Sequence, residues 1–137
     1  MTRTEITMTQ LVAAPPTEVY DAWVDAEQLA TWWWPQIPDT TYELDVRVGG
    51  GYRIHSAAAA MGVHGRFLSL DRPHRLELSW IWEDGDVDGT EERVVVDFAT
   101  QDGGTLVTVR HTTGAAGAGD FAQGWTDCLA RLVRVGH

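Results

Sequence analysis

Apolar and polar residues alternate from Thr4 to Val12, with Ile6 and Met8 on one side, the period-two pattern of a strand with one buried face. The period then changes. Pro15 and Pro16 suit a first helical turn, and Val19, Tyr20 and Trp23 recur at helical spacing, which predicts a short helix. Asp25 followed by Gln28 reads as a capping box that starts a second helix with Leu29, Trp32 and Trp33 on its buried face, ended by Pro35. From Tyr42 onward the pattern is strand: Tyr42 to Val48, Tyr52 to Ala57, Val63 to Leu70, Leu76 to Trp82, Arg93 to Thr100, and Thr105 to Thr112. The turns between them are too short for crossover helices, so the strands form an antiparallel meander. A last apolar stripe of Phe121, Trp125, Cys128, Leu129 and Leu132 predicts the longest helix. The expected architecture is α+β: a curved antiparallel seven-stranded sheet wrapped around a long C-terminal helix, with two short helices between the first and second strands. One domain, 1–137, accounts for the whole pattern.

Alternation also assigns faces, because neighbouring strand residues point to opposite sides. Taking Leu68 and Leu70 as inward carries His64 and Arg66 with them. Leu76 and Leu78 carry Trp80 and Trp82; Val94 and Val96 carry Phe98; Val107 and Val109 carry His111; Tyr52 and Ile54 carry Ser56. With Phe121 and Trp125 of the last helix facing the sheet, the expected inner surface is aromatic and aliphatic, with His64, Arg66 and His111 as its polar points. Apolar walls with a few fixed polar groups are what a small-molecule site needs. An inward arginine requires a carboxylate, a water or a ligand oxygen; otherwise Arg66 snorkels to an open end of the sheet. A histidine on an apolar face ordinarily makes a structural hydrogen bond, and that alternative stands for His64 and His111.

Charge narrows the partners. Ten basic residues, all arginine, face 20 acidic ones, for a net charge of −10. No stretch gathers the basic residues that phosphate neutralisation needs, so nucleic acid and anionic membrane surfaces are excluded as partners. A single cysteine, Cys128, cannot form an internal disulfide, and the first residues carry no signal-peptide or membrane-spanning run, so a cytoplasmic location is expected. Seven of the 13 aromatic residues are tryptophan. Either the core is unusually bulky or some of these rings line a cavity.

Several motifs fail on inspection. His55 and His64 lie across from each other in a hairpin, but opposite faces and the lack of a third ligand make a poor zinc site. Asp84 to Gly89 resembles half of a calcium loop, yet Val95 stands where the closing glutamate belongs, leaving a solvated acidic turn. Gly49-Gly50-Gly51 lacks the lysine and helix of a phosphate loop. Neither a metal nor a cofactor is expected. Cys128, on an apolar stripe, reads as a small core hydrophobe.

A family resemblance rests on the ordered combination of motifs. The run Ala14-Pro15-Pro16-Thr17-Glu18-Val19-Tyr20-Asp21-Ala22-Trp23 and then Gln28-Leu29-Ala30-Thr31-Trp32-Trp33 resembles the opening of the START-like, helix-grip superfamily. More narrowly, it is similar to the family named after the activator of heat-shock-protein-90 ATPase. Asp45-Val46-Arg47-Val48-Gly49-Gly50, His64-Gly65, Asp71 to Leu76, Thr105 to His111, and Gly124-Trp125 with Leu129 to Leu132 continue the likeness over nearly the whole chain. Two departures are Trp34, where a glycine is usual, and Val48, where a proline is usual. The resemblance implies a helix-grip fold with a cavity between sheet and C-terminal helix that binds a small hydrophobic or amphipathic molecule. ATPase activation is not carried over, since the eukaryotic activators use a further N-terminal domain. Two alternatives remain: a cofactor-free cyclase, hydratase or hydrolase using His64 or His111, and an acidic adaptor for a protein partner. Monomer and homodimer are both left open.

Overall fold

The computed structural model describes residues 3–114 and 117–134. In chain order its elements are β1 (Arg3–Val12), α1 (Pro16–Val24), α2 (Ala26–Trp32), β2 (Thr40–Leu44), β3 (Gly51–Ser56), β4 (Met61–Asp71), β5 (Arg75–Asp84), β6 (Val87–Asp88), β7 (Glu92–Gln101), β8 (Gly104–Gly114) and α3 (Ala118–Leu132). All strand pairs are antiparallel, in the order β1-β8-β7-β5-β4-β3-β2, so the first strand closes the far edge of the meander. The expected α+β helix-grip arrangement is present. An eighth strand, β6, arises where the acidic turn folds back onto β5.

Local chemistry sets the element ends. At α2 the Asp25 carboxylate accepts the Glu27 N–H at 3.0 Å, but Gln28 donates to that same carboxylate at 3.2 Å instead of reaching back to a backbone N–H. The cap is therefore an Asp cap without the reciprocal half of a box. β2 stops at Leu44, short of the expected Val48, because Asp45 N–H bonds Gly51 O and Arg47 N–H bonds Asp45 O, turning the chain.

The core lies between the inner face of the sheet and the helices. Trp125, Cys128, Leu129 and Leu132 of α3 are buried, and α3 packs on β1 and α2. Indoles from α1 and α2 fill much of the space: Trp23 stacks on Trp125 at 5.9 Å, and Trp32 donates its Nε1–H to Ala22 O at 3.0 Å. The outer face carries cross-strand ion pairs, with Arg75 and Arg110 both on Asp97 and Arg93 on Glu77. Such pairs keep the exposed side polar without a large contribution to stability.

One face assignment is corrected. In β4 it is Val63 and Phe67 that are buried, while Arg66 and Leu68 are exposed, Leu68 at 44%, and His64 sits on the outer side. The cause is a register shift between Phe67 and Ser69: Phe67 pairs with Leu78, Ser69 with Glu77, and Leu68 is the extra residue. A bulge reverses the alternation, so counting back from Leu70 places every earlier residue on the wrong side. Arg66 therefore has no buried charge to satisfy, and its backbone N–H donates to Ser79 Oγ at 2.8 Å.

Candidate functional site

The indoles do not fill the fold completely. A cavity of about 400 Å³ remains beneath the first half of α3, lined by Trp33, Trp34, Met61, Trp80, Trp82, Gly117, Asp120, Phe121, Gly124, Trp125 and Cys128. That volume falls within the range of small-molecule sites. Trp80 and Trp82 come from alternate positions of β5, Trp33 and Trp34 from the two residues that follow α2, and the rest of the wall largely from α3. Rings touch around it: Trp34 meets Trp82 edge to face at 5.8 Å, Trp82 meets Phe121 at 5.7 Å, and Trp33 meets Trp125 at 5.1 Å. Burial pushes the Cys128 thiol up to about 11, so it stays neutral in this wall.

Of the residues expected at the site, Trp80, Trp82, Phe121 and Trp125 border this cavity. Tyr52, Ile54 and Leu78 border a separate void of only about 20 Å³, too small for more than a water. Val96, Phe98 and Val109 are fully packed core. His64, Arg66 and Leu68 lie on the other side of the sheet, as described above.

His111 is inward and fully buried, beneath the rings of Trp80 and Phe121, each 4.9 Å away. Its two nitrogens are both engaged. Trp125 Nε1–H donates to His111 Nδ1 at 3.1 Å, and because an indole N–H can only donate, Nδ1 must carry the lone pair. The proton therefore sits on Nε2, which donates to Glu92 at 2.8 Å; Thr113 Oγ1 donates to the other oxygen at 2.6 Å. An acid, Glu92 of β7, thus accompanies the inward histidine. Burial lowers the His111 pKa against the opposing pull of Glu92, consistent with a neutral ring. This network fixes the Trp125 indole and leaves no free histidine lone pair facing the cavity.

A second polar cluster occupies the outer face. Gly62 of β4 lies in register between His55 on β3 and Glu83 on β5. A Cβ there would come within 2.9 Å of His55 Nδ1, so only glycine leaves the channel through which Glu83 crosses β4. Its carboxylate takes a bidentate pair from Arg53 at 2.9 and 3.0 Å, His55 Nδ1 at 3.0 Å and His64 Nδ1 at 2.7 Å. With its side chain only 6% exposed, Glu83 is the hub that ties three strands together. The Arg53 guanidinium, with help from His64, holds the carboxyl down at about 2. His55 and His64 share this face, contrary to the expected split. Among the described residues no group of three or more His, Cys, Asp or Glu is arranged to hold a metal ion.

Trp34, at the cavity wall, adopts φ of 56°, a left-handed conformation that costs a non-glycine residue about 1–2 kcal/mol. Edge-to-face packing on Trp82 holds it there. Trp34→Gly is expected to be about 1 kcal/mol more stable than Trp34→Ala in urea denaturation, the reverse of the usual order, because alanine keeps the strain that glycine relieves.

A curved antiparallel sheet gripping a long C-terminal helix, with an apolar hollow between them, defines the START-like helix-grip class, in general a ligand-binding architecture. Residues 13–136 match the family model described as Activator of Hsp90 ATPase homolog 1-like protein, and the chain belongs to that family. Comparison with curated proteins gave no match. Among solved structures it is similar to CalU16 from Micromonospora echinospora, with 26% identity and a TM-score of 0.72, covering 93% of this chain and 73% of that one. It is also similar to protein CV1439 from Chromobacterium violaceum, with 24% identity, a TM-score of 0.79, and 97% and 98% of the two chains covered. A protein from Rhizobium leguminosarum superposes with a TM-score of 0.82 at 21% identity, over 96% of this chain and 93% of that one. No helix among the described residues is long and apolar enough to cross a membrane.

Proposed function

We propose that this chain is a binding protein for a small, largely apolar molecule, held in the indole-lined cavity beneath α3. The supporting observation is Gly124. Glycine in a helix interior costs about 1 kcal/mol relative to alanine. Nothing in the fold demands it here: a Cβ at Gly124 would meet no atom within 4 Å, and this exposed glycine borders the cavity. The missing side chain gives a guest direct access to the helix backbone.

The catalytic alternative draws no support from the two histidines, since His64 is on the outer face and both nitrogens of His111 are engaged. General acid or base work needs a titrating group within reach of the substrate.

The test uses tryptophan emission titrated with small neutral aromatic and aliphatic compounds. Wild-type protein is expected to show saturable shifts. Gly124→Leu, which adds a bulky side chain to the cavity lining, is expected to abolish them while raising thermal stability through better helix propensity. Binding that survives the leucine would refute the site, and a flat response of the wild type would refute the reading.

A further inference from the structure

The cavity's charges point to the chemistry of its occupant. Among the described residues, Asp120, itself exposed to solvent at the rim, is the one acidic or basic side chain that lines the hollow; no arginine or histidine borders it, and Cys128 is a neutral thiol. The ion pairs described above run elsewhere, over the outer face. Asp120 precedes Phe121 in the first turn of α3, at the end of the cavity where the rings of Phe121, Trp82 and Trp34 follow one another in edge-to-face contact. Trp80 closes the arrangement, 6.4 Å from Trp82 and 5.9 Å from Phe121.

We propose that the cavity selects organic cations, an aromatic or alkyl ammonium whose charged end sits among Trp34, Trp82 and Phe121 beside the Asp120 carboxylate. This rests on the ligand-binding reading and gives its guest a charge. Ring faces attract ammonium groups electrostatically, and most strongly when the ring is an indole. A carboxylate at the same end adds to the attraction, whereas a carboxylic-acid guest would meet a like charge and no counter-ion.

Two features oppose a cation and fix its placement. The start of α3 carries a partial positive charge of about half a unit, which the full negative charge of Asp120 outweighs. Arg131 lies at the other end of the helix, its guanidinium 3.6 Å from Cys128 Sγ. It stands eleven positions along the helix from Asp120, about 16 Å at 1.5 Å per residue. The ammonium therefore sits at the Asp120 end and the apolar body extends inward toward Trp33, Trp125 and Cys128.

Isothermal titration calorimetry with three probes of one shape tests this: (2-naphthylmethyl)trimethylammonium, 2-naphthylmethanol and 2-naphthoate. The ammonium is expected to bind about tenfold tighter than the alcohol, and the carboxylate more weakly than either. Asp120→Asn is expected to cut the ammonium's advantage to about threefold and to leave the alcohol within twofold of its wild-type affinity. If the alcohol binds as tightly as the ammonium, or the ammonium keeps its full advantage in Asp120→Asn, cation selectivity is overturned while the binding function stands. If none of the three binds, the cavity reading falls and this inference with it.

Discussion

Glu83→Gln will lower the unfolding free energy by about 3 kcal/mol, although the residue is far from the cavity. The amide cannot match two charged hydrogen bonds from Arg53 and the contacts from His55 and His64, so it sets these partly exposed donors against a poorer, buried acceptor. The effect has a pH signature. A carboxyl whose folded pKa is depressed stabilises the fold above its unfolded value and loses that contribution as pH falls through the folded one. With the ordinary value at 4.5 and the folded value about 2, the stabilisation should disappear over that interval. Urea denaturation of wild type and variant at pH 7 and pH 3 checks it: the gap between them should be wide at the first and much narrower at the second.

His111→Leu is expected to cost a similar amount, about 3 kcal/mol, and to change the near-ultraviolet circular dichroism of the indoles. The substitution leaves the largely buried Glu92 carboxylate with only Thr113 to satisfy it and strips the Trp125 N–H of its acceptor. Because burial depresses the His111 pKa, the neutral ring stabilises the fold above the ordinary value of 6.5, and that stability declines as pH falls below it. Protonation would set a second donor against the Trp125 N–H. Wild-type protein should thus begin to lose stability below pH 6.5, and the leucine variant should lack that first phase. A variant that unfolds with the wild-type pH profile would show the histidine to be idle.

Much of the architecture was legible because local periods and turn lengths agreed with one another, from the helical recurrence of Val19, Tyr20 and Trp23 to the stripe that ends at Leu132. The site was legible only in part. Glu92 has the same parity as Val94, Val96 and Phe98, so its inward position was available from alternation alone. The phase of β4 was not, since a bulge leaves no mark in a run as apolar at Phe67 as at Leu68. Glu83 was hidden for another reason. Its parity is outward, and its burial is made by side chains from β3 and β4 meeting over the bare backbone of Gly62. The position of the hollow was likewise beyond periodicity, because it depends on how far Trp23, Trp33 and Trp125 fill the space between sheet and helix.

The indole chain carries an optical consequence. Trp34, Trp82, Trp80, Trp33, Trp125, Trp23 and Trp32 form an unbroken succession of neighbours with ring centroids 4.7 to 6.4 Å apart, from the cavity wall to the floor of the core. Excitation absorbed by any of them will migrate along the series before it is emitted, so the seven chromophores behave as one antenna. A quencher lodged beside Trp82 would then dim rings it never touches, and single-tryptophan variants would be required to say where light leaves the molecule.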